Sequence, residues 1–284
     1  MSEKLRWGVL GTARVVRKTI PALQETKNGE VVGIASRTEQ KAREYADKHG
    51  IPQAFGSYEA LLASPDIDAV YIALPNALHL EWIFKALDAG KHVLSEKPLA
   101  MSAAECEEIT RKADETGLHV LEGFMYRFHP RFEKLQELLA AGAVGQLTFV
   151  HVAHSFDTAG DDNIRWYAGL GGGALFDAGC YCVNMSRMVT GQEPAHVVSF
   201  GNYRDANDGG RIYLDNPFGL LEEDSVLEEH HFGQDTIHHQ VKGENHFIRM
   251  GEHTLVLEGL DQAAWQQEGA SESRPHSGAG LGVS

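Results

Sequence analysis

Over the first 123 residues, short apolar runs alternate with segments of helical period, and this alternation restricts the fold more than any other feature of the chain. The runs lie at 5–10 (LRWGVL), 30–36 (EVVGIAS), 69–75 (AVYIALP), 91–95 (KHVLS) and 118–124 (LHVLEGF). Each is long enough for a strand and rich in residues that suit a buried sheet. Between them stand helical patterns: Val15, Ile20 and Leu23 around an awkward Pro21; residues 38–50, opened by Thr38 and closed by Gly50; a short piece at 58–63; residues 77–89, closed by Gly90; and a helix opened by Ser102, with Glu105 completing a capping box, that ends near Gly117. Strands that alternate with helices at this spacing form a parallel sheet covered on both faces, and right-handed crossovers make that sheet doubly wound.

Beyond residue 123 the pattern changes. A helix at 130–141 leads into an alternating strand (GQLTFVHVAHSF) and a loop with Asp161, Asp162, Asn163 and Arg165. A helix entered through glycines follows (LGGGALFDAGCYCVNMSRMVTG), then strand-like segments at 196–203 and 210–214. The expected organisation is an α/β Rossmann domain over 1–123, an α+β domain with an open, largely antiparallel sheet over 124–265, and a disordered tail over 266–284, where apolar residues thin out.

The net charge of −15 disfavours nucleic acid and anionic membrane surfaces as partners. No apolar stretch approaches the roughly 20 residues that cross a bilayer. The first residues run straight into a strand without the pattern of an export signal, and Cys106, Cys180 and Cys182 form no disulfide framework. A cytoplasmic protein is expected. Six histidines in the last third (His230, His231, His238, His239, His246, His253) have no cysteine or carboxylate spacing that organises a metal site, so none is expected.

Two places carry chemistry. GKHVLSEKP delivers Glu96 and Lys97 to the carboxyl end of a strand that Pro98 stops, which is where open parallel sheets bind ligands. Partial burial there makes a lysine usable for proton transfer, although a lysine alone is more commonly a surface ion-pair partner. Gly11, Thr12 and Ala13 lie between the first strand and first helix, the context of a dinucleotide-phosphate turn. The fingerprint is degenerate, with Ala13 and Val16 where glycines are usual, but helix-terminal N–H groups still face an anion. After the second strand, Ser36-Arg37-Thr38 stands where NAD selection uses a carboxylate. Arg37, with Lys41 one turn on, suits a 2′-phosphate, so NADP is expected over NAD.

GVLGTARVVRKTIPAL, YIALPNALHLEW, AGKHVLSEKPLA, EGFMYRFHPRF and IRWYAGLGGGALFDAGCYCVN, in this order, resemble the glucose-fructose oxidoreductase / inositol dehydrogenase / rhizopine catabolism (Gfo/Idh/MocA) family. The resemblance is strongest to its NADP-dependent D-xylose and trans-1,2-dihydrobenzene-1,2-diol dehydrogenases. It covers residues 1–204 and returns over 209–258. It implies an oxidoreductase that passes hydride from a sugar or cyclic trans-diol hydroxyl to NADP. By resemblance, Lys97, Asp177 and Tyr181 are the catalytic set. An ammonium beside a phenol lowers its pKa, so Tyr181 is expected as base and Lys97 as its electrostatic partner, the two roles being exchangeable, with Asp177 on a second substrate hydroxyl. The four-residue spacing of Asp177 and Tyr181 independently suits one face of an α-helix. Leu74, Pro75, Asn76, His79 and Glu96 are implied at the nicotinamide and ribose. Tyr126, Arg127, Asn163 and Arg165 are implied on the substrate side, with Glu122 and His129 lining the cleft.

Against that pattern the chain lacks a segment between Tyr203 and Gly209, which implies missing inner strands in the second sheet. The resemblance implies a homodimer built on that sheet. The loss keeps a non-catalytic NADP(H)-binding variant as an alternative. A form with tightly bound cofactor, like glucose-fructose oxidoreductase itself, is a further one.

Overall fold

The computed structural model of the chain describes residues 4–154, 156 and 163–197, and the backbone of four strands between 227 and 258. The chain divides into two compact units. Among the described residues the first holds 4–125 and 163–180, and the second holds 126–154, 156, 181–197 and the four late strands.

The first unit opens with β1 (Leu5–Leu10), α1 (Val16–Glu25), β2 (Gly29–Ala35), α2 (Glu39–His49), β3 (Gln53–Phe55) and α3 (Tyr58–Leu62). It continues with β4 (Ala69–Ile72), a 3-10 turn at Asn76–Leu78, α4 (His79–Asp88), β5 (His92–Ser95), α5 (Ala103–Thr116) and β6 (Val120–Glu122). The six strands are parallel in the order β3-β2-β1-β4-β5-β6. This is the doubly wound arrangement, with the strand order reversing between β1 and β4.

Side-chain alternation along the strands builds a core on each face. Val9, Ile34 and Tyr71 pack with Val16 and Ile20 of α1 on one side. Leu10, Ala35, Val70 and Ile72 pack with Leu61, Ile83 and Ile109 on the other. Polar groups, half-buried or buried, make ties at the amino ends of the strands. Arg6 donates to Asp68 through Nε (2.9 Å) and Nη2 (2.6 Å). Lys91, 8% exposed, donates from Nζ to the carbonyls of Ser64 (2.9 Å) and Ile67 (2.7 Å).

The caps follow the sequence. Thr38 accepts from Lys41 N and Ser102 from Glu105 N, while Gly50, Gly90 and Gly117 take left-handed φ of 65°, 73° and 67°. Glu105 reaches back to Met101 N (2.8 Å), one residue before the cap itself. Two details differ from the sequence reading, and the helix around Pro21 agrees with it. β3 was not expected, because three residues are too few to show a period. β4 ends at Ile72, earlier than the apolar run to 75, and the chain turns there. α1 continues through Pro21 to Glu25.

The second unit holds a 3-10 turn whose residues 126–128 lie in it, then α6 (Pro130–Ala140), β7 (Val150–His154) and α7 (Cys180–Thr190), whose first residue belongs to the first unit. The strands β8 (Leu227–Phe232), β9 (Asp235–Lys242), β10 (Asn245–Met250) and β11 (His253–Glu258) complete it. Its sheet is open and antiparallel, in the order β7-β11-β10-β9-β8. The late strands form successive hairpins: Phe232 pairs with Asp235, Lys242 with Asn245 and Met250 with His253. Gly-Gln, Gly-Glu and Gly-Glu separate those pairs in the sequence, a two-residue signal for tight hairpins that the strand assignment overlooked.

Residues 196 and 197 are not in a strand, and the rest of the expected strands at 196–203 and 210–214 lie outside the described residues. So do Asp161, Asp162, the side chains of the six late histidines and the 266–284 tail.

Candidate active site

The turn after β1 is built for close approach to a ligand. Gly11 has φ of +101°, and a Cβ there would stand 2.6 Å from the Ala73 carbonyl oxygen. Its N–H donates to Ala35 O (3.0 Å), which draws the turn against the end of β2. Thr12 is half-buried, Ala13 is exposed, and Val16, at the third fingerprint position, is fully buried under the helix start. The first turn of α1 holds no acidic residue, so its positive helix end meets solvent without a competing carboxylate. These features fit a dinucleotide phosphate.

At the end of β2, Ser36 is buried and its N–H donates to Phe55 O, whereas Arg37 and Lys41 are exposed. Burial raises the Tyr58 phenol above its ordinary value, and the Arg37 charge opposes that rise. The exposed Arg37 thus follows the end of β2.

At the reversal of strand order, the loops after β4 and β5 are tied together by buried side chains. The Tyr71 hydroxyl donates to Glu96 Oε1 and accepts from Thr19 Oγ1 (3.2 Å). His79 is fully buried, with Nδ1 2.7 Å from Pro98 O and Nε2 3.0 Å from Leu74 O. Burial lowers its pKa, against the opposing pull of the two carbonyls. The His79 ring thus sits between the loop after β4 and the loop after β5, and as a neutral imidazole it donates to one of the two carbonyls. Asn76, expected at the same place, donates from Nδ2 to Gly171 O at 2.7 Å. Glu122 serves as a brace, accepting Leu99 N–H on Oε1 (2.8 Å).

Lys97, at the tip of the loop after β5, meets Asp177 within the first unit. Its Nζ is 3.1 Å from Oδ1 and also donates to the Asp177 backbone carbonyl. Arg165 Nε donates to Oδ2 of the same carboxylate. The side chains of Lys97 and Asp177 are 11% and 17% exposed, so both charges are mostly withdrawn from water. Burial raises the Asp177 carboxyl, but the Arg165 hydrogen bond and the Lys97 charge outweigh it, and the carboxyl lies below its ordinary value. Asn163 Oδ1 caps the 3-10 turn Ile164–Trp166 by accepting Arg165 N–H (3.1 Å). Each oxygen of Asp177 accepts from one cation and keeps a further lone pair that a substrate hydroxyl can use.

Asp177 lies on a π-helical turn, Leu175–Gly179, that passes into α7 at Cys180. The expected unbroken α-helix carrying Asp177 and Tyr181 is corrected here. A π-turn bonds i to i+5, so the four-residue spacing no longer marks one face across the junction. Such turns concentrate at functional sites.

In the second unit, Tyr181 sits in an aromatic box, with ring centroids 6.0 Å from Tyr126 and 5.3 Å from His154. Tyr126 is buried, packs edge-on against Phe132 and donates its hydroxyl to Asn184 Oδ1 (2.6 Å). Arg127 is exposed and lines a shallow cleft with Asn184, Arg187 and Glu193. Two contributors escaped the sequence reading. Tyr71 holds Glu96, and the Gly171 carbonyl holds Asn76. Tyr71 lies in an apolar strand and reads as core; a backbone carbonyl has no residue-type signal at all.

Comparison with known proteins places these features in company. A family profile described as an oxidoreductase family with NAD-binding Rossmann fold matches residues 5–124, and one described as the GFO/IDH/MocA C-terminal domain matches 132–227. The chain is 42% identical over 223 residues to D-xylose 1-dehydrogenase (NADP(+)) 2 of Haloferax volcanii, covering 78% of this chain and 66% of that protein. It is 35% identical over 199 residues to the trans-1,2-dihydrobenzene-1,2-diol dehydrogenase of Xenopus tropicalis, covering 69% and 60%. Among solved structures, the 3-ketoreductase KijD10 of Actinomadura kijaniata, in complex with NADP and TDP-benzene, superposes with a TM-score of 0.68 at 28% identity, covering 96% of this chain and 92% of that one. The chain spans less than two thirds of the length of the two enzymes matched by sequence.

Proposed function

The chain belongs to the Gfo/Idh/MocA oxidoreductase family, and from that premise we propose that it is an NADP-dependent dehydrogenase of a sugar or cyclic trans-diol. The single observation that carries the reading is the buried Lys97–Asp177 pair at the carboxyl end of the parallel sheet, beside a turn shaped for a dinucleotide phosphate. Xylose and dihydrodiol dehydrogenases among the relatives support the carbinol substrate, and NADP bound to the solved relative supports the cofactor.

NADP, when bound, accepts hydride from the substrate carbon. The residues of the chain do the rest. Gly11, Thr12 and Ala13 hold the pyrophosphate on backbone N–H groups. Arg37 and Lys41 select the 2′-phosphate. Tyr181 takes the hydroxyl proton on its phenolate oxygen. An unperturbed phenol titrates near ~10, so it needs a cation to act at neutral pH, and we assign that role to Lys97. Asp177 fixes the ammonium and accepts from a neighbouring hydroxyl. Arg165 and Asn163 donate to the remaining oxygens.

Every described cysteine is a free thiol, which supports a reducing, cytoplasmic setting. Among the described residues no helix is long and apolar enough to cross a membrane. We place a second copy of the chain on the open antiparallel sheet, to be checked by sedimentation.

The test is NADPH formation over a panel of aldoses and trans-diols. Wild type turns over at least one of them. Tyr181→Phe and Lys97→Met each lose at least a hundredfold in kcat, in the range of general-base catalysis. Normal turnover by both variants rejects the assignment.

A further inference from the structure

We propose that Asn76 is a positioning residue that couples cofactor binding to carbinol binding, by clamping the glycine segment that carries Arg165 and Asp177. The inference rests on the dehydrogenase reading above and deepens it.

Asn76 lies in the turn after β4, four residues beyond Ile72, at the reversal of strand order where an α/β sheet takes its nucleotide. It donates to the Gly171 carbonyl, 95 residues away in sequence, at 2.7 Å. The contact is close on all sides. Gly171 has φ of +75°, and a Cβ there would lie 2.6 Å from Met101 Sδ, 2.7 Å from Asn76 Cβ and 3.1 Å from Ala77 N. Only glycine permits both that backbone and that approach.

From Gly171 the geometry runs to the charged groups without slack. Gly172 N donates to Tyr167 O (3.1 Å) and Gly173 N to Arg165 O (2.9 Å). A Cβ on Gly172 would stand 2.5 Å from Arg165 O. Asp177 N then donates to Gly173 O (3.2 Å), and the Asp177 side chain closes the circuit onto Arg165 and Lys97. One amide therefore fastens a segment whose backbone sets the position of two charged groups. A ligand that orders the turn around Asn76 orders that segment too, and linkage makes the effect reciprocal.

Asn76→Asp tests this with little change of shape, because it replaces the donor by an acceptor facing a carbonyl; Asn76→Ala is the second variant. Amide hydrogen exchange is followed at Gly172, Gly173 and Asp177, with NADP affinity by tryptophan fluorescence and carbinol KM measured in parallel. In wild type, saturating NADP slows exchange at these amides at least fivefold. Both variants exchange at least tenfold faster than wild type at these positions. NADP no longer slows them, carbinol KM rises at least tenfold, and NADP Kd stays within twofold. If NADP Kd rises as much as carbinol KM, Asn76 is a direct cofactor ligand and the proposal falls. It falls equally if exchange at these amides is unchanged, or if exchange rises while NADP still protects the segment. A wild type that oxidises no sugar or diol refutes the dehydrogenase reading, while the exchange measurements still decide whether the clamp exists.

Discussion

Asp177 stays ionised because Arg165 and Lys97 outweigh the burial that would protonate it. A carboxyl lowered in the fold contributes stability above its unfolded value near ~3.9, and that contribution disappears as pH falls through the lower native value. Asp177→Asn leaves Lys97 buried without its countercharge, a change that costs about 3 kcal/mol when a buried pair is broken on one side. Denaturation curves of the variant and wild type are expected to differ by that amount at neutral pH and to begin converging only as pH falls below about 4 toward the lowered native value. Arg37 makes a separate, functional prediction. Arg37→Ala is expected to weaken NADP at least tenfold and to leave NAD nearly unchanged, read by parallel fluorescence titrations. The placement of Arg37 was legible in the sequence, since it depends only on following the second strand. The hydrogen-bond partners of His79 and Asn76 were not. Each is a polar side chain whose partner is a distant backbone carbonyl, and residue type says nothing about which carbonyl the fold brings near.

Helix ends were the most legible elements, because capping is local chemistry. Ser102 is the case to test: its hydroxyl accepts Glu105 N–H at 3.2 Å at an exposed helix start. Ser102→Ala is expected to cost about 1 kcal/mol, seen as a lowered Tm with cofactor affinity unchanged. Elements that break a period were illegible in proportion to the break. The three residues of β3 show no alternation. The π-turn at Leu175–Gly179 places an extra residue in a helix whose sequence still reads as continuous. The hairpins from β8 to β11 were overlooked for a different reason. Their strands carry His, Glu and Gln at many positions, so the weak apolar contrast hid three glycine-led two-residue connections that were present in plain view.

At the scale of the molecule, the doubly wound class of the first sheet was readable from strand–helix alternation and crossover handedness, whereas its strand order was not. The second sheet closes by pairing β7 with β11, two strands separated by about a hundred residues of chain, and such pairing leaves no local trace. The first unit also contains its own internal reporter. Lys91 lies at the amino end of β5, 8% exposed, with its amine on two loop carbonyls. Acylating reagents that readily tag surface lysines are expected to reach it far more slowly in the native protein. Its tagging, followed by peptide mass spectrometry across a denaturant series, is expected to track the unfolding of the whole unit, whereas tagging of exposed Lys41 proceeds at the same pace throughout. One shielded amine thus turns an ordinary labelling reaction into a clock for how often this half of the protein comes apart.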